Sequence, residues 1–301
     1  MQIFAVRMTS LFVTIALVLR IFSNPFANVF QKKLTGSYVH ALFVNFATYA
    51  LLAAACLVGL LFTRPTGVFL SAAFWKWSLL SAICGALGNA FLVKAVEQGD
   101  LSVLGPVNAY KSVVAMLIGV FILQEIPGWT GILGVALIIW GSYFVLDTTE
   151  EGFSWQLFKR RDIQYRVAAM VLTAVEAVFL KRVILLSSPA IGFVSWCCYG
   201  AVFSFLLVLA RRVSLKKEMG KLGNVQILHL LLIAFCMGMM QFSTNYVFAH
   251  MPVAYALSFF QLSIIVSVFL GYSFFGEGQL LRKLLGSAIM VAGAVLIVLA
   301  A

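Results

Sequence analysis

Apolar blocks of about 20 residues follow one another along the whole chain, and this spacing limits the fold more than any other feature. A helix needs roughly 20 residues to cross the ~30 Å hydrocarbon core of a bilayer. Apolar residues make up 63% of the 301 residues and charged residues only 10%, whereas a soluble domain is usually about half apolar and about a quarter charged. The sequence therefore predicts an integral membrane protein whose solvent is the lipid bilayer.

The apolar runs are continuous, as in 266–275 and 289–301. A membrane β-barrel would instead show segments of ~10 residues with alternating polarity. Helices satisfy their own backbone hydrogen bonds in lipid, so an all-α polytopic membrane protein is predicted. The ten predicted spans are 9–30, 39–62, 74–95, 101–123, 129–146, 166–186, 190–210, 226–248, 253–275 and 283–300.

An internal repeat divides these spans into two sets of five. The residue types of the two halves match at a constant shift of 152 positions. The matched pairs are Gly119 with Gly271, Glu125 with Glu277, Gly134 with Gly286 and Gly141 with Gly293. Nearer the starts of the halves, Val29–Lys33 (VFQKK) matches Val178–Arg182 (VFLKR) at a shift of 149. The prediction is a first repeat at 1–148, a linker at 149–165 and a second repeat at 166–301.

Because each repeat has an odd number of spans, the second repeat enters the membrane from the opposite side. Such inverted repeats are typical of secondary transporters, which hold their substrate near the bilayer midplane between the two halves. The glutamates at the ends of the fourth and ninth spans, Glu125 and Glu277, are expected to cap neighbouring helix N-termini, where negative charge is favourable.

With these glutamates and the glycine-containing spans that follow them, the chain resembles the drug/metabolite transporter superfamily, in particular its ten-helix members built from two EamA-type repeats. The resemblance implies ten transmembrane helices in two inverted repeats and the transport of a small molecule. Family members move amino acids, nucleotide-related molecules, drugs and choline-like cations, so the substrate stays open. The segment Arg20–Pro25 (RIFSNP) also departs from the Trp-Gly pair that the family often carries in its first helix.

Three charged side chains fall near the middle of predicted spans: Arg20, Lys111 and Glu176. A charge at the bilayer centre costs at least ~2.5–3.5 kcal/mol on insertion scales, so it requires a partner or a wet cavity. We expect the three to surround a central cavity, and their sum of +1 favours a substrate with an anionic group. Glu176 is the predicted proton-coupling residue. The alternative is a structural ion pair or network that ties the halves together.

Polar side chains at helical spacing extend this predicted site. Asn24 and Asn28, like Gln241 and Asn245, are four residues apart and share a helix face. The predicted substrate-binding residues are Arg20, Asn24, Asn28, Asn89, Asn108, Lys111, Glu176, Gln241, Asn245 and Gln261. Hydrogen bonding between helices is the alternative role for the polar members of this set. Trp196, within the seventh span, is expected to be a packing residue.

An enzyme, a metal site and a cofactor site are not predicted. The sequence has no HExxH or GxSxG motif, and its five cysteines show no CxxC spacing. The net charge of +11 comes mainly from basic residues in short loops, as is typical of cytoplasmic membrane loops, so no nucleic-acid partner is expected. The expected partners are a small-molecule substrate and the lipid bilayer, and a monomer suffices because one chain holds both repeats.

The sequence thus predicts a secondary active transporter of a small polar metabolite, working by alternating access and linked to protons through Glu176. An exporter of amines or cationic drugs and a passive facilitator are the alternatives. The expected location is the plasma membrane, which is the inner membrane in bacteria. The distribution of Lys and Arg favours both termini outside, whereas many ten-helix relatives keep both termini inside, and the sequence leaves this choice open.

Overall fold

The computed structural model describes residues 2–63, 70–111, 113–114, 128–146, 159–251 and 253–299. Within these ranges the regular structure is helical and no strand occurs. The helices are α1 (Gln2–Gly36), α2 (Ala41–Thr63), α3 (Ala72–Gln98), α4 (Leu101–Val107), α5 (Trp129–Leu146), α6 (Arg161–Leu185), α7 (Pro189–Ala210), α8 (Leu215–Met219), α9 (Asn224–His250), α10 (Val253–Phe260), α11 (Ser263–Phe275) and α12 (Leu280–Leu299).

The length and apolar character of these helices confirm a multi-pass membrane protein. Within the described residues, six segments are long and apolar enough to cross a bilayer: Leu11–Gly36, Ala41–Leu60, Ala72–Gln98, Pro189–Ala210, Asn224–His250 and Leu280–Ile297. Two shorter apolar helices lie at Trp129–Val145 and Ser263–Phe275. Helix α6 has 25 residues but carries several charged side chains. The fourth predicted span, 101–123, extends beyond the described residues.

Two helices are interrupted at corresponding places in the two repeats. The predicted span 253–275 is two helices rather than one, because α10 ends at Phe260 and α11 begins at Ser263. In the first repeat, α4 ends at Val107, and a turn at Asn108 follows. Pro106 contributes to this interruption, since proline lacks the N–H that a continuous helix uses. Interrupted helices place free backbone groups in the protein interior, where transporters hold ligands.

Tight bonds of the i to i+3 type mark both interruptions. The Asn108 N–H donates to the Gly105 carbonyl at 3.0 Å, and the Leu262 N–H donates to the Phe259 carbonyl at 3.1 Å. Asn108 and Gln261, both predicted substrate-binding residues, therefore lie where a helix changes its hydrogen-bonding pattern.

The repeated glycines bring α5 and α12 into close antiparallel contact. A Cβ added at Gly134 would lie 2.6 Å from the Gly293 carbonyl oxygen, and one at Gly141 would lie 2.6 Å from the Gly286 carbonyl oxygen. The start of α5 therefore meets the end of α12. Gly134 matches Gly286 in the repeat, and Gly141 matches Gly293. The two contacts are therefore equivalent, since each joins the first matched glycine of one helix to the second matched glycine of the other. Close backbone approach through small residues is a common way for membrane helices to associate.

Contacts between the other long helices show the same equivalence of the two repeats. Helix α3 packs along α6, and α1 packs along α9. Since α6 and α9 are the first and third long helices of the second repeat, the first helix of each repeat packs on the third helix of the other. The two repeats therefore interlock, and their shared interior is lined by both.

Adding one methyl group at this glycine contact is expected to destabilise the protein. In Gly141→Ala the new Cβ meets a backbone oxygen, which cannot rotate away, so the helices must separate. Overpacking of this kind costs about 1–3 kcal/mol, and we expect a lower melting temperature in detergent. Gly36→Ala is the matched control, since no atom lies within 4 Å of the added Cβ. Equal melting temperatures for the two variants would contradict the role assigned to the contact.

Glu277 links the repeats at one end of the bundle. Its carboxylate accepts the backbone N–H groups of Leu101 and Ser102 at 2.9 and 2.8 Å, and the Lys32 ammonium donates to it at 3.0 Å. The predicted cap by Glu277 is thus confirmed at the start of α4, whereas Glu125 lies outside the described residues. Burial by itself would raise the pKa of Glu277, but the hydrogen bonds from Ser102 and the charge of Lys32 bring this pKa below its ordinary value.

Glu277→Gln is expected to lower the melting temperature and to change its pH dependence. Because the pKa is depressed in the folded protein, the stabilisation by Glu277 is fully present above the unfolded value of about 4.3. It is lost as the pH falls through the lower, folded-state pKa. A hydrogen bond to a charged group contributes about 1.5–3 kcal/mol. Melting curves from pH 7 down to pH 3 would measure this, with Glu97→Gln, at an exposed carboxylate of α3, as the control. Parallel curves for both variants would contradict the assignment.

Candidate functional site

A cavity of about 100 Å³ lies where the helices of the two repeats meet. It is lined by residues from α1, α2, α3, α6, α7, α9 and α10 and by the turn after α4. Its ionisable lining residues are Arg20, Lys111, Arg166 and Glu176, together with the phenol of Tyr49. The other lining residues with polar side-chain atoms are Asn24, Asn89, Asn108, Thr173, Trp196, Gln241 and Thr244. Both repeats therefore contribute to one polar cavity inside an apolar bundle.

Helix α6 supplies a continuous stripe of this lining. Arg166, Ala169, Thr173, Glu176 and Leu180 follow one another at alternating spacings of three and four residues. Residues at these spacings share one face of a helix. Two of the charged side chains of α6, Arg166 and Glu176, therefore line the cavity.

Glu176 is held in the cavity wall by α7. The indole Nε1 of Trp196 donates to Glu176 Oε1 at 2.8 Å. Gly85 on α3 makes room for this carboxylate, because a Cβ at this position would overlap Glu176 Oε1 and lie 2.9 Å from its carboxyl carbon. Trp196 also lies among the core residues of α2 and α9. The expectation that Trp196 packs is therefore incomplete, since its N–H also positions Glu176.

Lys111 and Arg20 approach the cavity from the first repeat. Lys111 follows the turn at Asn108, and its ammonium donates to Thr173 Oγ1 at 3.3 Å. The guanidinium of Arg20 on α1 donates through Nε to Thr244 Oγ1 at 2.9 Å. Its Cζ also lies 4.7 Å from the centroid of the Phe260 ring, a distance at which a cation is attracted to an aromatic face.

Arg166 is a cavity residue that the sequence did not identify. It is buried, and its Nε donates to the Leu104 carbonyl at 2.8 Å. Its place at the very start of the predicted span 166–186 made it look like an ordinary basic residue of a membrane loop. The spacing of Arg166 to Thr173 and Glu176 along one helix face is the signal that identifies it.

The cavity has more cations than anions. Three cationic side chains face one carboxylate, so the sum at ordinary protonation is +2 rather than the predicted +1. In the described part of the chain, none of Arg20, Lys111 and Arg166 forms an ion pair with a carboxylate. The predicted alternative, a structural ion pair or network that ties the halves together, therefore applies here only in its network form, since Arg20, Lys111 and Arg166 each hydrogen-bond a residue of the other repeat.

Seven of the ten predicted substrate-binding residues line the cavity. These seven are Arg20, Asn24, Asn89, Asn108, Lys111, Glu176 and Gln241. Asn28, Asn245 and Gln261 are buried outside the lining. Asn245 accepts from the Gln241 amide at 3.0 Å and donates to the Pro189 carbonyl at 3.1 Å, which joins α9 to α7. Binding of substrate by any of these ten residues remains a prediction.

Several residues that sequence reasoning passed over also line the cavity. They include Tyr49, Thr173, Trp196, Met237, Met240, Thr244, Phe248 and Phe260. Aromatic, methionine and threonine residues are ordinary in membrane helices, so their type carries no signal of a site. Among the described residues, no group of three or more His, Cys, Asp or Glu side chains is placed to hold a metal ion.

Comparison with known proteins gives one family and one shared fold. The model of the EamA-like transporter family matches the chain twice, at residues 11–147 and 163–299. A solved structure described as "Crystal structure of protein" aligns with a TM-score of 0.63 and 14% sequence identity. The alignment covers 93% of this chain and 96% of that one, which shows a common fold. No curated protein matches the chain.

Proposed function

We propose that this chain, which belongs to the EamA-like transporter family, is a secondary active transporter of a small polar metabolite that carries an anionic group. Membership of the family makes it a membrane transporter of the drug/metabolite type. The observation that carries the choice of substrate is the cavity between the repeats, where, among the residues that the structure describes, three cations face one carboxylate without an ion pair.

Ten transmembrane helices in two inverted five-helix repeats form the proposed architecture. The antiparallel contact of α5 with α12 supports the inversion, because these helices hold matching glycines and run in opposite directions. A second pair of contacts supports the inversion independently, because the first helix of each repeat packs on the third helix of the other: α1 on α9, and α6 on α3. In such a protein the two repeats rock against each other around a fixed central site and open it to one side at a time.

The charge balance favours an anion over an amine. Burying a cation without a counter-charge is costly, whereas a well-placed opposite charge offsets much of that cost. In the described structure the hydrogen bonds of Arg20, Lys111 and Arg166 go to neutral oxygens, and Arg20 also lies over the Phe260 ring. Glu176, the one carboxylate to which an amine would bind, already accepts the Trp196 N–H on one oxygen. A carboxylate or phosphate bound in the cavity would therefore be stabilised by more charged hydrogen-bonding groups than a bound ammonium.

Glu176 also supports the proposal of proton coupling. It is the only carboxylate of the described cavity lining, so it is the group there that can gain a proton and lose its charge. Its protonation would change the charge that the substrate meets. The proposed location is the plasma membrane, the inner membrane in bacteria, and the proposed functional unit is the monomer.

Uptake into proteoliposomes tests this function. Purified protein is reconstituted and offered labelled carboxylates, phosphates, amines and neutral sugars, with an imposed pH gradient and with none. We expect accumulation of one or more anions above the external concentration, only in vesicles with protein and only with the gradient. Transport of amines alone would instead make the chain a cation exporter, and equilibration without accumulation would make it a passive facilitator.

A further inference from the structure

Two polar atoms of the cavity lining are buried without a hydrogen-bond partner in the described structure: Nη1 of Arg20 and the hydroxyl oxygen of Tyr49. Buried polar groups are nearly always hydrogen-bonded, so each exception calls for a cause. The other lining cations and the Glu176 carboxylate have partners within the protein. The two exceptions therefore mark where a ligand would complete the hydrogen bonding.

Tyr49 is fixed in its position by the packing of α2 against α7. It is 1% exposed on α2, and its ring centroid lies 4.7 Å from that of Trp196 on α7. A Cβ at Gly200, also on α7, would overlap the Tyr49 ring, so the absence of a side chain there gives the ring its space. The Tyr49 side chain is thus held among the residues that line the cavity, with its hydroxyl buried.

We infer that the substrate is an organic acid with a second, neutral hydrogen-bonding group, whose anionic end meets Arg20 and whose neutral group meets the Tyr49 hydroxyl. This inference rests on the proposed transport function and specifies its substrate class. The anionic end accepts from the unpartnered Nη1 and is attracted by Lys111. The neutral group, a hydroxyl, ketone or amide, pairs with the phenol. The carbon chain between the two ends packs against Met237 and Met240, which line the same cavity.

The neighbours of Tyr49 exclude a second anion at the phenol. Trp196 packs on Tyr49 and donates to Glu176, so a second anion at the phenol would lie near the carboxylate. Like charges in a low-dielectric cavity repel strongly. A hydroxyl or carbonyl meets no such repulsion, and a phenol can both donate to it and accept from it.

Matched acids that differ by one hydroxyl test the inference. Butanoate is compared with its 2-, 3- and 4-hydroxy derivatives, and 3-hydroxybutanamide serves as the uncharged analogue. A site built to hydrogen-bond a substrate hydroxyl strongly rejects the analogue that lacks it. We expect kcat/KM for at least one hydroxy acid to exceed that for butanoate by about tenfold or more, and no transport of the amide.

Tyr49→Phe separates the hydroxyl from the rest of the side chain. The ring and its packing are kept, so we expect an unchanged melting temperature and a hydroxy-acid advantage reduced to within about twofold. Tyr272→Phe is the control, because Tyr272 is an exposed tyrosine of α11 outside the cavity. An advantage that persists in Tyr49→Phe overturns the inference. Wild-type protein that transports these acids without preferring a hydroxy derivative would also overturn the inference. It would leave the proposed transport function in place. Vesicles that accumulate none of these acids and no other anion would overturn the proposed function as well.

Discussion

Replacing Lys111 by methionine is expected to lower the transport of carboxylate compounds by about 10- to 100-fold, which matches the ~1.5–3 kcal/mol of a hydrogen bond to a charged group. Methionine keeps much of the length of the side chain and removes its charge. Within the described residues, the Lys111 ammonium has one hydrogen-bond partner, the Thr173 hydroxyl at 3.3 Å. Its remaining donors are therefore available to a substrate. Initial uptake rates in proteoliposomes measure the effect.

Two further variants distinguish substrate binding from a structural role of Lys111. Thr173→Val removes the one hydrogen bond of the ammonium and keeps the charge, so it should reduce anion transport much less than Lys111→Met. Lys76→Met removes a charge from an exposed position of α3 and should leave the rate unchanged. If Thr173→Val were as damaging as Lys111→Met, the lysine would act by holding α6. If Lys111→Met improved the transport of amines, the proposed charge preference would be wrong.

The central charges could be predicted from sequence because a charge within an apolar run is costly and therefore rare. Arg20, Lys111 and Glu176 each stand inside such a run, and the structure places all three in one cavity lining. Arg166 escaped because a basic residue at the edge of an apolar run is equally expected in a loop. Burial of the side chain distinguishes a cavity residue from a loop residue. Whether Arg166 is buried depends on how far α6 extends beyond its apolar segment.

The polar partners were harder to predict because they depend on contacts between distant segments. Trp196 meets Glu176 across 20 residues of sequence, and Thr244 meets Arg20 across 224. Residue type alone does not reveal such pairs. The interruption after Phe260 was also invisible, since the apolar run 253–275 reads as one helix. The corresponding interruption after Val107 has Pro106 as a sequence signal.

The sequence shows which positions of the two repeats are equivalent, but it does not show which residues touch in the structure. The shift of 152 pairs Gly134 with Gly286, yet Gly134 touches Gly293 in the structure. This crossing arises because α5 and α12 pack antiparallel. Equivalent residues of the two repeats then lie at opposite ends of the contact. The odd number of spans predicts the inversion, and the antiparallel contact of α5 with α12 agrees with that prediction.

Replacing Glu176 by glutamine is expected to abolish accumulation driven by a pH gradient while leaving anion binding intact. The glutamine oxygen can still accept the Trp196 N–H, so the cavity wall keeps its shape. The variant removes the only carboxylate of the described lining, which raises the summed charge of the cavity from +2 to about +3 at ordinary protonation. An anion should therefore bind at least as well as in the wild type.

These two expectations separate coupling from binding in a single variant. In vesicles with an imposed pH gradient, wild-type protein should concentrate the anion, whereas Glu176→Gln should bring the internal and external concentrations to a ratio of about 1, since transport without coupling only equilibrates a solute. Stabilisation of the purified variant by the anion should persist. Glu97→Gln, at an exposed carboxylate, should accumulate the anion as the wild type does. If Glu176→Gln still concentrates the anion, the proton is carried elsewhere, and the carboxylate of Glu176 serves instead to fix Trp196 against Tyr49.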